Sequence, residues 1–573
     1  YGTDETGMVA AITLRSEKSS LSNYIYSPSP GFNSTYVSAK DSNGKLRAIT
    51  IPNIPVIDFG TSQMAFYKVK PESSSANEQE YVVVVSEGPQ YYYVNGSTGR
   101  DDWPDYYNGG SESYPFKTLA KAVHAASRSS SINKIFVSGE LNAATEKGAW
   151  GDVTDDNGFH PSGGNSDSVF NLIGTNNRTI TVSGVNNAVL RGTSGKRVLS
   201  ITGGANITFE NITVTGGDTA KVGGGVYIEG DCKVKFSGCT ITGNKAASGG
   251  GVYVHGPDSG SADGEFYFIG GSISGNTATG TAAGSIANPA AAQGGGGLYL
   301  GGRIAATLYN ATVANNTAQG GSGGGVLIAA ADPNNNSGNR DSNEFGLFMF
   351  GGSISQNNSY GYTSPHGGGG VYVAQGAFDM DGGNISGNYS KRQGGGVFIW
   401  HNARFSASGN SSILNNDGVG SSKAICSRGY TLLTGNARAD KIYIWNNNDS
   451  PKFSREPDSF TISENARADG IVLAYDDSDS GAHQTRNHIN VANLSGIDTV
   501  ATIDLEGHLT DNAFKTMDLE GDWLGKTLIK SSIASISTDI ARFPLGTFVG
   551  SGTRSLSSYK IVPDGVYGKM QHR

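Results

Sequence analysis

A short pattern returns along the middle of the chain: a run of glycines, an apolar-x-apolar triplet, a second alternating segment, a Gly-Gly corner, an isoleucine or valine, and an asparagine. Residues 367–388, GGGGVYVAQGAFDMDGGNISGN, hold one complete copy. The triplet recurs at Val226-Tyr227-Ile228, Val252-Tyr253-Val254, Leu298-Tyr299-Leu300, Val326-Leu327-Ile328, Val371-Tyr372-Val373 and Val397-Phe398-Ile399. The asparagine recurs at Asn244, Asn276, Asn316, Asn357, Asn388 and Asn416, with spacings between 28 and 41 residues. Apolar residues alternate within each short run, so each run reads as a strand with one buried face. A repeat of this length cannot bury that face alone. It must stack on its neighbours.

Three short strands per turn, glycine corners and a stack of asparagines imply an all-β chain wound as a right-handed, single-stranded parallel β-helix. Buried asparagines stacked on one another can satisfy corner backbone groups along a ladder. Glycine at 84 of 573 residues, without the collagen G-X-Y period, fits a chain that turns this often. Around the array we expect a β-rich N-terminal region at 1–90 and entry strands with a capping helix at 91–170. The helix itself holds Phe116, Leu119, Ala122 and Val123 on one face. The β-helix is expected over 171–505 and a C-terminal cap over 506–573.

The net charge of −8 is spread thinly with no basic stripe, which argues against nucleic acid as a partner. No apolar run approaches the ~20 residues of a membrane helix. Cys232, Cys239 and Cys426 form neither a CxxC pair nor a disulfide framework. Abundant Asn, Ser and Thr with few Cys suit a secreted or cell-wall-attached bacterial protein, acting as a monomer. No cofactor is required. Stretches 152–157, 332–336 and 476–479 carry the oxygen ligands that a structural calcium ion takes, though none has EF-hand spacing.

Stacking turns the repeat into columns. In the strand before the Gly-Gly corner, the outward positions run Lys235 and Ser237, Tyr267 and Ile269, Thr307 and Tyr309, Phe348 and Phe350, Asp379 and Asp381, then Ser406 and Ser408. The last pair assumes a one-residue slip. One exposed face thus carries aromatic rings followed directly by two carboxylates. Exposed aromatic surface marks an interaction site, and sugar rings stack on such faces. Asp379 and Asp381 sit two apart on one strand, with Cβ atoms ~6.5–7 Å apart. Their carboxyl carbons, roughly 5–8 Å apart, span both glycosidase geometries. Close carboxylates on an aromatic face should split their pKa values and leave one as general acid. His366, Trp400, His401 and Arg404 lie on neighbouring corners and join Tyr309, Phe348, Phe350 and Tyr372 as candidate substrate contacts. The blander readings are solvated charge for His366 and a stacking ladder for the Tyr227, Tyr253, Tyr299 and Tyr372 column.

The GGGVYV, F-x-M-x-GG and ISGN segments resemble the pectate-lyase-like superfamily, and especially surface proteins of Gram-positive gut bacteria, over roughly 200–440. That resemblance implies that the strand before the Gly-Gly corner belongs to the sheet bearing active sites. Among β-helix hydrolases the chain resembles the family-136 lacto-N-biosidases. This implies release of lacto-N-biose from milk oligosaccharides by a retaining, two-carboxylate mechanism. Asp381 is one carboxylate, and the second is Asp379 or one from elsewhere. Two alternatives stand beside it: a lyase acting on acidic glycans, with Lys391 or Arg404 as base, and a non-catalytic adhesin binding host glycan through the aromatic column.

Overall fold

The computed structural model describes residues 91–101, 109–146 except 111, 114, 130 and 131, 167–175, 177–258, 263–282, 291–330, 345–362, 367–400, 403–419, 423–444, 460–475, 489–494, 499–507 and 542–545. Outside these it describes the strands at 10–16, 24–26, 36–40, 46–50, 66–75, 78–86, 509–510, 513–514, 527–531, 559–564 and 567–572. The chain divides into two compact units, 1–162 with 178–188, and 163–177 with 189–573.

The second unit is a parallel β-helix. One turn shows how it is built. Val226–Glu229 lies on a first wall, Lys233–Ser237 on a second, Thr240–Thr242 on a third and Lys245–Ala246 on a short fourth. The chain then opens the next turn with Val252–His255, which pairs parallel with the strand where it began, Val226 beside Val252. The other walls keep the same register: Val234 beside Phe266, Ile241 beside Ile273, Ala246 beside Ala278. Alternation sends Val226, Ile228, Val234, Phe236, Ile241 and Ala246 inward, where they are buried. Inward rings stack from turn to turn, as Phe209 does on Phe236 with centroids 4.9 Å apart.

The corner asparagines form the ladder that their spacing predicts. Asn316 Nδ2 donates to Asn357 Oδ1 at 3.0 Å and to the Ile273 carbonyl at 2.9 Å. The Asn316 Oδ1 accepts from both the backbone and the side-chain amide of Asn276, each at 3.0 Å. The pattern runs from Asn244 to Asn416. The glycine run beside the ladder is dictated by space. A Cβ on Gly225 would sit 2.5 Å from the Gly251 carbonyl oxygen and 2.9 Å from Asn244 Nδ2.

Beyond the ladder the turn changes shape. Arg438–Ile444 pairs with a third-wall strand at one end and a first-wall strand at the other, and Arg467–Tyr475 pairs with Arg438–Ile444 along both parts. Without corner glycines the strand runs straight between walls. Parallel pairing continues to Thr502–Gly507 and to Thr527–Ser531, the latter joined by an antiparallel hairpin, Tyr559–Asp564 with Tyr567–His572.

In the first unit, Tyr92–Asn95 pairs parallel with Lys134–Leu141, and the amphipathic helix Leu119–Arg128 packs on both strands. Phe116, Leu119, Ala122 and Val123 are buried, as the helical pattern implies. The segment before it holds antiparallel strands, Ala10–Ser16, Glu78–Ser86 and Phe66–Ser75 in one sheet and three shorter ones in another.

Candidate functional site

The outward face of the second wall carries the candidate site. Pairing sets Lys235 beside Tyr267, Tyr267 beside Thr307, Thr307 beside Phe348 and Phe348 beside Asp379. The parallel column sets Ile269 beside Tyr309, Tyr309 beside Phe350 and Phe350 beside Asp381. The slip assumed for the last turn is real: Asp379 pairs with Ser406 and Asp381 with Ser408. Tyr309 is 50% exposed, Phe350 43% and Tyr267 36%, while Phe348, between Thr307 and Asp379 in its column, is half-buried. Rings this open on the sheet leave apolar surface in water, and covering them in another contact would remove it.

The two carboxylates have different surroundings. Asp379 accepts from Arg404 Nη2 at 3.0 Å and from the Ser406 hydroxyl, and its side chain is 22% exposed. Arg404 reaches it because the next turn places Arg404 beside Ala377, two residues before Ser406 on the same face. Asp381 lies at the exposed end of the strand and accepts one longer hydrogen bond, 3.3 Å, from Ser408. Gly409 keeps room for it: at φ 59°, a Cβ there would stand 2.4 Å from Asp381 Oδ1. Asp379 is therefore held as an ion-pair acceptor, and Asp381 stays open to a ligand.

Tyr372 and Trp400 require a correction. Both face outward on the first wall, yet Tyr372 is 1% exposed and Trp400 4%. They belong to a packed outer cluster that runs through Tyr299, Leu327, Tyr372, Phe398, Cys426, Tyr443 and Val472 in register. The Arg428 guanidinium lies 4.5 Å above the Trp400 ring, and burial raises the Tyr372 hydroxyl pKa. Neither ring offers a face to a saccharide. The ladder reading of the tyrosine column is the one the geometry supports, with Tyr253 stacked on Tyr299 at 4.5 Å. His366 and His401 lie outside the described residues, as do 152–157, 332–336 and 476–479.

No family model, curated protein or solved structure matches this chain. The reading of its site therefore rests on its own geometry.

Among the described residues, no group of three or more His, Cys, Asp or Glu side chains could hold a metal ion. All three cysteines are buried, and burial pushes the Cys232 and Cys239 thiols up to about 11, so they are unreactive near neutrality. Lys391, the other base considered for a lyase, lies on the short fourth wall's side of the turn, 3.8 Å above the Tyr362 ring. Column reading found the rings and the carboxylates. The ion pair of Asp379 with Arg404 was missed, although Arg404 holds the adjacent column one turn later.

Proposed function

We propose that the chain is an extracellular carbohydrate-binding β-helix that seats an oligosaccharide on the outward face of its second wall. The observation that carries this reading is the unbroken step from Tyr309 to Phe350 to Asp381 on successive turns: two open rings, then an open carboxylate. Stacked neighbours are ~4.8 Å apart, a spacing on which flat sugar faces can lie. Asp381 would accept from sugar hydroxyls. The reading needs no cofactor and no second subunit.

A second reading, glycoside hydrolysis, is favoured by one further observation. Asp379 and Asp381 share a face two residues apart. In that case Asp381, open to the ligand, takes the part of the acid. Asp379, held by Arg404 and Ser406, takes the nucleophile's part. A lacto-N-biosidase of family 136 is the finer form of this reading. A lyase is less well served, since Arg404 is engaged with Asp379.

One panel tests both. The chain is incubated with milk, mucin and plant oligosaccharides, and binding and products are followed by calorimetry and mass spectrometry. Tyr309→Ala and Phe350→Ala should each weaken binding about tenfold, the worth of a lost stacking ring. If products form, Asp381→Asn should abolish them and leave affinity within about threefold. Affinity untouched by either ring variant would end the binding proposal. Turnover surviving Asp381→Asn would end the hydrolytic one.

A further inference from the structure

On the turns before the ring row, the corner between first and second walls opens into a cleft of about 920 Å³. Gly174, Gly203 and Gly204 lie within its lining, all at positive φ, so peptide rather than side chain forms part of its surface. Its polar groups include Thr175, Asn206, Asp231, Lys233, Asp263 and Glu265. Lys233 pairs with Glu265 at 2.5 Å, and Arg303 engages Asp263 from outside the lining. Asp231 is exposed. This is a wall of amide, hydroxyl and carboxylate groups with no aromatic ring, and it can hydrogen-bond a polyhydroxylated ligand from several sides.

The cleft shares an edge with the ring row. Asn206, Lys233 and Glu265 occupy one outward column on successive turns. Two residues past Glu265 on the same strand stands Tyr267, whose hydroxyl meets Glu265 Oε2 at 3.1 Å. Tyr267 stands in the column beside the one that carries Tyr309 and Phe350 on the two following turns. From the turn of Asn206 to that of Asp381 the pairing makes five steps, roughly 24 Å at ~4.8 Å each. A disaccharide cannot reach across that length.

We infer that the cleft holds the terminal sugars of an oligosaccharide longer than a disaccharide, uncharged or bearing an amine, whose remaining units lie on Tyr267, Tyr309 and Phe350. The inference rests on the saccharide reading of the second wall. It adds length and charge selection to it. With Glu265 paired to Lys233 and Asp263 to Arg303, the exposed Asp231 leaves the lining one negative charge in excess, so a uronate or sialate terminus entering the cleft meets like charge.

The test is a titration with neutral glucose, N-acetylglucosamine and lacto-N oligomers of two to six units, and with galacturonate oligomers of the same lengths. For a neutral series that binds, affinity should climb at least tenfold from dimer to hexamer. Asp231→Ala and Asn206→Ala should flatten that climb and leave dimer affinity within twofold. Phe350→Ala should lower dimer and hexamer alike. Galacturonate should bind at least tenfold more weakly than the neutral hexamer. A climb that persists in both cleft variants, or galacturonate binding as tightly, overturns the cleft assignment and leaves the ring platform standing. Failure of every neutral oligomer to bind overturns both.

Discussion

Asn316 shows how much one side chain does in a stacked fold. It is fully buried and meets four partners: two on Asn276, the Ile273 carbonyl and Asn357. Asn316→Ala takes the acceptor from the Asn276 backbone amide in a dry corner and breaks three further bonds, although Asn276 Nδ2 keeps the Ile241 carbonyl and Asn357 Oδ1 keeps the residue 316 amide. An unsatisfied group costs about 1–3 kcal/mol and each lost bond about 1 kcal/mol. The expected loss is about 3 kcal/mol or more by denaturant unfolding, while Thr317→Ala next door should stay within about 0.5 kcal/mol. Equal effects would mean that the ladder is ornamental. At the site, Gly409→Ala should displace the Asp381 carboxylate, because its Cβ would fall 2.4 Å from Oδ1 at a backbone angle of φ 59°. Ligand contact through Asp381 should weaken severalfold while the melting temperature falls only a few degrees. The ladder was legible in the sequence because its asparagine recurs once per turn, and the outward rows because period-two alternation fixes the side of the sheet for each residue. Tyr372 and Trp400 were not. Alternation says that a residue leaves the core and says nothing of what else covers it, and both sit in a second, outer cluster.

At the scale of elements, the helix Leu119–Arg128 carries a pH response. Its first turn is capped by Thr118, which accepts from the Lys121 amide, and by the Glu146 carboxyl, which accepts from Leu119 at 3.2 Å and Ala120 at 3.0 Å. Burial pushes Glu146 up to about 8, against the pull of those two amides. A carboxyl whose folded pKa lies above its unfolded value binds its proton more tightly in the folded state. Its contribution to stability is therefore full below about pH 4.5 and is lost as pH rises through about 8. Amide exchange at Leu119 and Ala120, corrected for intrinsic rate, should lose protection across that window. Glu146→Gln should flatten the dependence and keep one acceptor for the helix. The sequence announces the helix by its apolar stripe. It cannot announce Glu146, 27 residues from Leu119, because only the tertiary fold brings that carboxyl to the helix start.

For the whole molecule, the consequence of stacking is that each turn answers to its two neighbours alone. The turn 371–396 contains both Asp379 and Asp381, and its two neighbours are built to the same register. Val326 and Val397 each pair with Val371, Phe348 and Ser406 with Asp379, and Ile354 and Ile413 with Ile385. Asn357 and Asn416 flank Asn388 in the ladder. Removing residues 371–396 as a block therefore joins Gly370 to Val397 with every wall matched: valine meets valine, isoleucine meets isoleucine, and the asparagine stack closes over the gap. One repeat's worth of stability is lost, and the melting temperature should fall by only a few degrees. Both carboxylates go with the block, while Tyr267, Tyr309 and Phe350 stay. If the second wall is a saccharide platform, the shortened chain should keep ring-dependent binding, reduced by the loss of Asp381. If it is a hydrolase, the shortened chain should release no product. Deleting an equal length out of register, 378–403, should abolish folding, since Ala377 would then lead into Arg404, which takes the inward place of Phe378 and turns Phe405 outward. Equal tolerance of both deletions, read by circular dichroism melts, would contradict the stacked-register account on which the placement of the site depends.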